Sequence, residues 1–275
     1  MNYSSINTQK ICPLVSLSSG KGGVGKTVGI VHLAMILAKK GLKVLIFDGD
    51  LGMANVDVIL GLHPKHSLQD IFTTTLSLKD IILEGPFGIK ILPSGSGVKE
   101  LQNLSILEKD YLLDQMKTLE QSFDIILIDT GAGIGENVSI LNKISHKNII
   151  ITTPEPHAIT DAYALIKVLS QEYGKKQFDV IINMVKNNFE AEKIAENLKR
   201  VAQTYLNVKL NLLGSIPYDQ EIINAIMRRE AISDQNIHTV SGQAWKEVTN
   251  QLIAELYAHS KVTKNSTLWE QLLNP

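Results

Sequence analysis

The sequence predicts an α/β fold, a mostly parallel central sheet with helices on both faces. Three observations carry that expectation. Short apolar runs alternate with longer helical patterns along the chain. Runs such as DIILID and NIIITT are apolar throughout, without in–out alternation. A glycine-rich loop joins the first run to the first helix. Continuous apolar strands suit positions covered on both faces, and helical crossovers between parallel strands supply that cover.

In order, the runs that read as strands are Pro13–Leu17, Lys43–Phe47, Ile89–Leu92, Asp124–Ile128, Asn148–Thr152, Asp179–Asn183 and Leu210–Ile216. The helical patterns are Val28–Lys40, His157–Gln171, Ala191–Leu206, Asp219–Met227 and Val240–Ala258. No stretch rich in Gly, Pro or Ser divides the chain, so one domain is expected over residues 1–260, with a tail at 261–275. In that tail Leu268, Trp269, Leu272 and Leu273 share one face of a short helix, behind Lys261 and Lys264. The pattern fits an amphipathic segment that touches a membrane surface, or one that packs back onto the protein.

Composition excludes several classes. The 275 residues carry 27 Lys and Arg against 28 Asp and Glu, so no global basic footprint invites nucleic acid, and no direct nucleic-acid partner is expected. One cysteine, Cys12, excludes an intrachain disulfide framework and fits a reducing, cytoplasmic compartment. No run approaches the roughly eighteen apolar residues that a spanning helix needs. The polar stretch Met1–Lys10 lacks the apolar region of a secretory signal. The seven histidines show neither a zinc spacing nor a cysteine partner, and His32 reads as a packing or surface residue. Gly95 and Gly97 read as a loop, because a dinucleotide fingerprint needs a third glycine.

The chemistry concentrates in Gly20-Lys21-Gly22-Gly23-Val24-Gly25-Lys26-Thr27, which fits G-x-x-x-x-G-K-[ST] between a strand and a helix. Glycines let the backbone wrap phosphate oxygens and turn N–H groups inward, and the helix adds its positive end. Lys26 is expected on the β- and γ-phosphates of ATP, and the Thr27 hydroxyl on Mg²⁺. Two carboxylate segments end strands at the edge where ligands of open parallel sheets lie: Asp48-Gly49-Asp50 and Asp129-Thr130-Gly131-Ala132-Gly133. Asp129, after four apolar residues, is placed to support Mg²⁺ directly or through water, and Gly131 and Gly133 to let that loop respond to the γ-phosphate.

The second lysine makes the loop KGGVGKT, which resembles the deviant Walker A motif of the MinD/ParA ATPases. The resemblance runs from Val15 to about Ile232 and implies the SIMIBI/MinD-like P-loop NTPase fold. It implies an ATP-bound homodimer in which Lys21 reaches the partner's nucleotide. It also implies that Asp48 helps to hold the Mg²⁺ shell, that Asp50 positions the attacking water, and that Asn183 and Pro217 contact adenine. Thr153-Pro154-Glu155-Pro156 resembles a family segment near the nucleotide.

Within that family, Asp48-Gly-Asp-Leu-Gly-Met-Ala-Asn-Val-Asp57 and Asp129-Thr-Gly-Ala-Gly-Ile134 look most like the FlhG/FleN regulators of flagellar number. That resemblance implies a slow, partner-stimulated ATPase switch with catalytic Asp50, Lys21 and Lys26. Its partners would be an FlhF-like GTPase, flagellar switch proteins or a flagellar transcriptional activator. Met1–Lys10 lacks the DQAxxLR segment through which such proteins stimulate the GTPase. A MinD-like division-site ATPase is the nearest alternative. An ATP-binding adaptor with negligible hydrolysis is a rival of another class, and so is a small-molecule kinase, which would need more arginines than Arg200, Arg228 and Arg229.

Overall fold

The computed structural model describes residues 12–50, 56–66, 70–74, 76–93, 111, 114–115, 118–227 and 238–258. The expectations for Gly95, Gly97, Arg228, Arg229, most of the segment after Asp50, and the tail with Leu268, Trp269, Leu272 and Leu273 lie outside those residues.

Eight strands form one sheet: β1 (Leu14–Ser19), β2 (Val44–Gly49), β3 (Leu83–Glu84), β4 (Lys90–Pro93), β5 (Ile125–Ala132), β6 (Lys147–Thr152), β7 (Gln177–Val185) and β8 (Lys209–Pro217). Their order is β3-β4-β2-β5-β1-β6-β7-β8. Every pairing is parallel except β3 with β4. All seven expected strands are present. The two-residue antiparallel β3 is an addition, too short to leave a pattern in the sequence.

The helices are α1 (Lys26–Lys39), the single turns α2 (Val56–Ile59), α3 (Asp70–Thr73) and α4 (Leu78–Ile81), then α5 (Glu136–Ile144), α6 (Pro156–Glu172), α7 (Asn188–Leu206), α8 (Gln220–Met227) and α9 (Val240–Ala258). One face of the sheet packs on α1 and α9, through Val15, Leu17, Ile46, Leu127, Ile149 and Ile181. The other face packs on α5, α6 and α7. β5 shows why its sequence does not alternate. Leu127 enters the first layer and Ile126 and Ile128 the second, and all three are fully buried.

The layers come together closely where glycines allow it. A Cβ on Gly29 of α1 would lie 2.6 Å from the Trp245 ring of α9. His32, one helical turn on, stacks beside the same indole with ring centroids 6.1 Å apart. Burial lowers the pKa of His32, and its Nδ1 sits 2.8 Å from the Val28 carbonyl, so it is a packing residue. At the opposite end of the sheet, Lys147 donates to Glu255 of α9 at 2.6 Å and also pairs with Asp179.

Candidate functional site

The chain leaves β1 at the carboxyl edge of the sheet and turns through residues 20–25 into α1. Gly25, the residue before the helix, has φ 89°, a left-handed conformation that a side chain would strain. A Cβ on Gly20 would lie 2.1 Å from the Asp161 carbonyl of α6, so the loop can pass that helix only as glycine.

Lys26 opens α1 and turns into the sheet. Its Nζ donates to Asp129 Oδ1 at 2.7 Å, with the lysine side chain 7% and the aspartate 1% exposed. Asp129 Oδ2 is buried without a hydrogen-bond partner. Burial pushes the Asp129 carboxyl above the usual range, and the Lys26 ammonium pulls against that. Asp48 stands directly across from Asp129 in the β2–β5 register. Its oxygens accept from the backbone N–H groups of Asp50 (3.2 Å) and Val56 (3.3 Å). Burial, then the neighbouring Asp129 charge, pushes the Asp48 carboxyl up to about 7. Two carboxylates side by side with one ammonium leave room for further positive charge.

Asp50 lies past the end of β2, beside the carboxyl end of β5, and its charge also acts on Asp129. A Cβ on Gly131 would come 3.7 Å from its Oδ1. Lys21 stays at the surface and donates to Glu155 Oε2 at 2.6 Å, which holds the Glu155 carboxyl below its usual range. Asn183 lies two residues before the end of β7 and Pro217 ends β8, on the same edge of the sheet. Asn183 is 7% exposed, and its Nδ2 donates to the Val24 carbonyl of the loop at 2.8 Å.

A buried polar network underlies the loop. Asn142 Oδ1 of α5 accepts from Ser16 Oγ (2.9 Å) and Ser18 Oγ (3.1 Å) of β1. Asn148 Nδ2 of β6 donates to the same oxygen at 3.1 Å, and Thr130 Oγ1, next to Asp129, donates to Ser18 Oγ at 3.0 Å. Sequence reasoning singled out neither this network nor the Glu155 contact. Their partners come from distant segments, and only the serines within an otherwise apolar β1 hinted at buried polar contacts.

The donor set suits a hard cation. Asp48 and Asp129 offer carboxylate oxygens, one of them orphaned, and Thr27 brings a hydroxyl in the first turn of α1. Among the described residues no three His, Cys, Asp or Glu side chains form a metal cluster. An ion here would therefore complete its shell with ligand oxygens and water.

Residues 15–232 match the CobQ/CobB/MinD/ParA nucleotide binding domain. The chain belongs to this family. MinD/ParA-family proteins are ATPases, and two flagellar regulators are among the chain's relatives. It is 36% identical over 239 residues to the antiactivator FleN of Pseudomonas aeruginosa, covering 87% of this chain and 85% of that one. It is 34% identical to the flagellum site-determining protein YlxH of Helicobacter pylori, over 88% of this chain and 82% of the other. The MinD of Pyrococcus horikoshii in complex with Mg-ADP superposes with a TM-score of 0.68 at 25% identity, over 92% of this chain and 100% of that one. Among the described residues no helix is long and apolar enough to cross a membrane.

Proposed function

We propose that this MinD/ParA-family chain is an ATP-operated dimer switch that regulates the number or placement of flagella. ATP binds with its phosphates along Gly20–Thr27, with Lys26 on the β- and γ-phosphates and the base near Asn183 and Pro217. Thr27, Asp48 and Asp129 hold magnesium, which neutralises phosphate charge when bound. Lys26 is already committed to Asp129, so nucleotide inserts into a preformed charge pair rather than an empty hole. Asp50, on the glycine-loop side, orients the attacking water. Lys21 leaves Glu155 and reaches the nucleotide of a second copy.

The observation that carries the reading is Lys21, a second lysine on a surface turn five residues before the buried one, held there by an exposed pair with Glu155 that it can exchange for a partner's nucleotide. The flagellar output rests on FleN and YlxH, whose similarity spans most of both chains. Turnover is slow and raised by partners: a GTPase of the FlhF type, flagellar switch proteins or a flagellar transcriptional activator. The protein works in the cytoplasm and at the inner face of the membrane, which the tail touches through Leu268, Trp269, Leu272 and Leu273. Residues 1–260 act as a single ATPase domain. A division-site role is the second reading, favoured by the MinD fold neighbours. Among the described residues the one arginine, Arg200 on α7, is engaged with Asn197 rather than with the phosphate loop, which does not favour a kinase.

Size exclusion with light scattering tests the switch. With a non-cleavable ATP analogue the wild type should run as a dimer and Lys21→Ala as a monomer. Asp50→Ala should dimerise and release no phosphate. A wild type that stays monomeric with the analogue refutes the proposal.

A further inference from the structure

We propose that Asn183 braces the phosphate loop from behind and acts on bound phosphate through Val24, independently of any contact with a base. The inference rests on the reading that the loop binds phosphate. A loop that turns N–H groups toward a ligand must turn carbonyls away from it, and a buried carbonyl without a donor is costly. Val24 is 3% exposed, and its carbonyl finds that donor in Asn183 Nδ2 at 2.8 Å. The same nitrogen sits against the left-handed residue of the loop: a Cβ on Gly25 would lie 2.4 Å from it. Asn183 therefore sets both the orientation of the Val24 peptide and the space in which Gly25 turns.

The other end of the amide is fixed as well. Asn183 Oδ1 accepts from the Met184 backbone N–H at 2.9 Å. Met184 is left-handed at φ 58°, and the β7–β8 register shifts between Ile182 and Val185. A non-glycine residue held in that conformation at a strand end needs a constraint that outweighs the strain. Here the distortion carries the Asn183 side chain off the sheet and onto the loop. With both ends of the amide engaged, Asn183 is a positioning residue that ties the end of β7 to the phosphate loop.

A base contact and a brace make different predictions for a ligand that has no base. The test uses the full chain as wild type, Asn183→Ala and Asn183→Asp. The aspartate variant keeps an acceptor for Met184 but replaces the donor to Val24 with a carboxylate, so the neutral alanine variant separates loss of the donor from added charge. In the nucleotide-free protein, amide exchange at Val24–Thr27 should speed up roughly five- to ten-fold in both variants, with the rest of β7 unchanged. Calorimetry with magnesium tripolyphosphate and with Mg-ADP should show the same five- to ten-fold loss for both ligands, with the ADP-over-GDP preference intact. Unchanged loop exchange overturns the brace. So does a loss confined to ADP with a shifted ADP/GDP ratio, which would make Asn183 a base contact only. If the wild type binds neither ligand, the phosphate-loop reading fails, while the ligand-free exchange comparison still decides the brace.

Discussion

Removing the Lys26 ammonium should destabilise the folded chain even without nucleotide. Lys26 and Asp129 are 2.7 Å apart and nearly inaccessible. At an effective dielectric of about 20 their attraction amounts to roughly 6 kcal/mol before desolvation is counted. Lys26→Ala leaves the carboxylate of Asp129 buried without its cation, a change that costs about 3–5 kcal/mol in comparable buried pairs. Asp129 has one escape, which is to take up a proton. Burial already holds its carboxyl above the usual range, so neutralisation is cheaper than for a surface acid. The variant's folded state then binds more protons than its unfolded chain, and its stability falls as pH rises. We expect a loss of about 3 kcal/mol at pH 7 in urea unfolding of the nucleotide-free protein, smaller at pH 5. Lys26→Met with Asp129→Asn removes both charges, retains volume and should recover most of the loss. A Lys26→Ala protein that unfolds at the wild-type midpoint at pH 7, or a double variant no better than the single, would refute the reasoning.

Asn142→Leu should lower the unfolding temperature by several degrees, because Ser16, Ser18 and Asn148 each lose a buried partner at about 1–3 kcal/mol apiece; a scanning-calorimetry transition equal to wild type would contradict the network's role. Lys175 is pushed down to about 8 by burial, so between pH 8 and 10.5 the unfolded chain holds more protons than the folded one. The stability difference between wild type and Lys175→Met should therefore shift toward the wild type across that window, by on the order of 2 kcal/mol in denaturation at each pH. A flat difference would mean that the ammonium is better solvated than its burial suggests.

The strands were legible because central parallel strands need apolar residues on both faces, as β5 and β6 show. The loop was legible because few residue types can wrap phosphate. α5 was not, for a physical reason: its buried face carries Ser139 and Asn142, so the apolar stripe that would mark it is broken. The Asp48–Asp129 pairing was also hidden, since only the strand order puts β2 beside β5. The Lys21–Glu155 pair joins loops after β1 and β6, and nothing in either segment names the other.

The seating of Trp245 against Gly29 has a consequence for biosynthesis. The helix that follows the phosphate loop leaves the ribosome well before the indole that seals its outer side has been made. Until then Ile30, Leu33 and Leu37 have no complete cover. The nascent chain therefore leaves that apolar helix face uncovered while the intervening segment is made, an interval in which it is exposed to association with other chains.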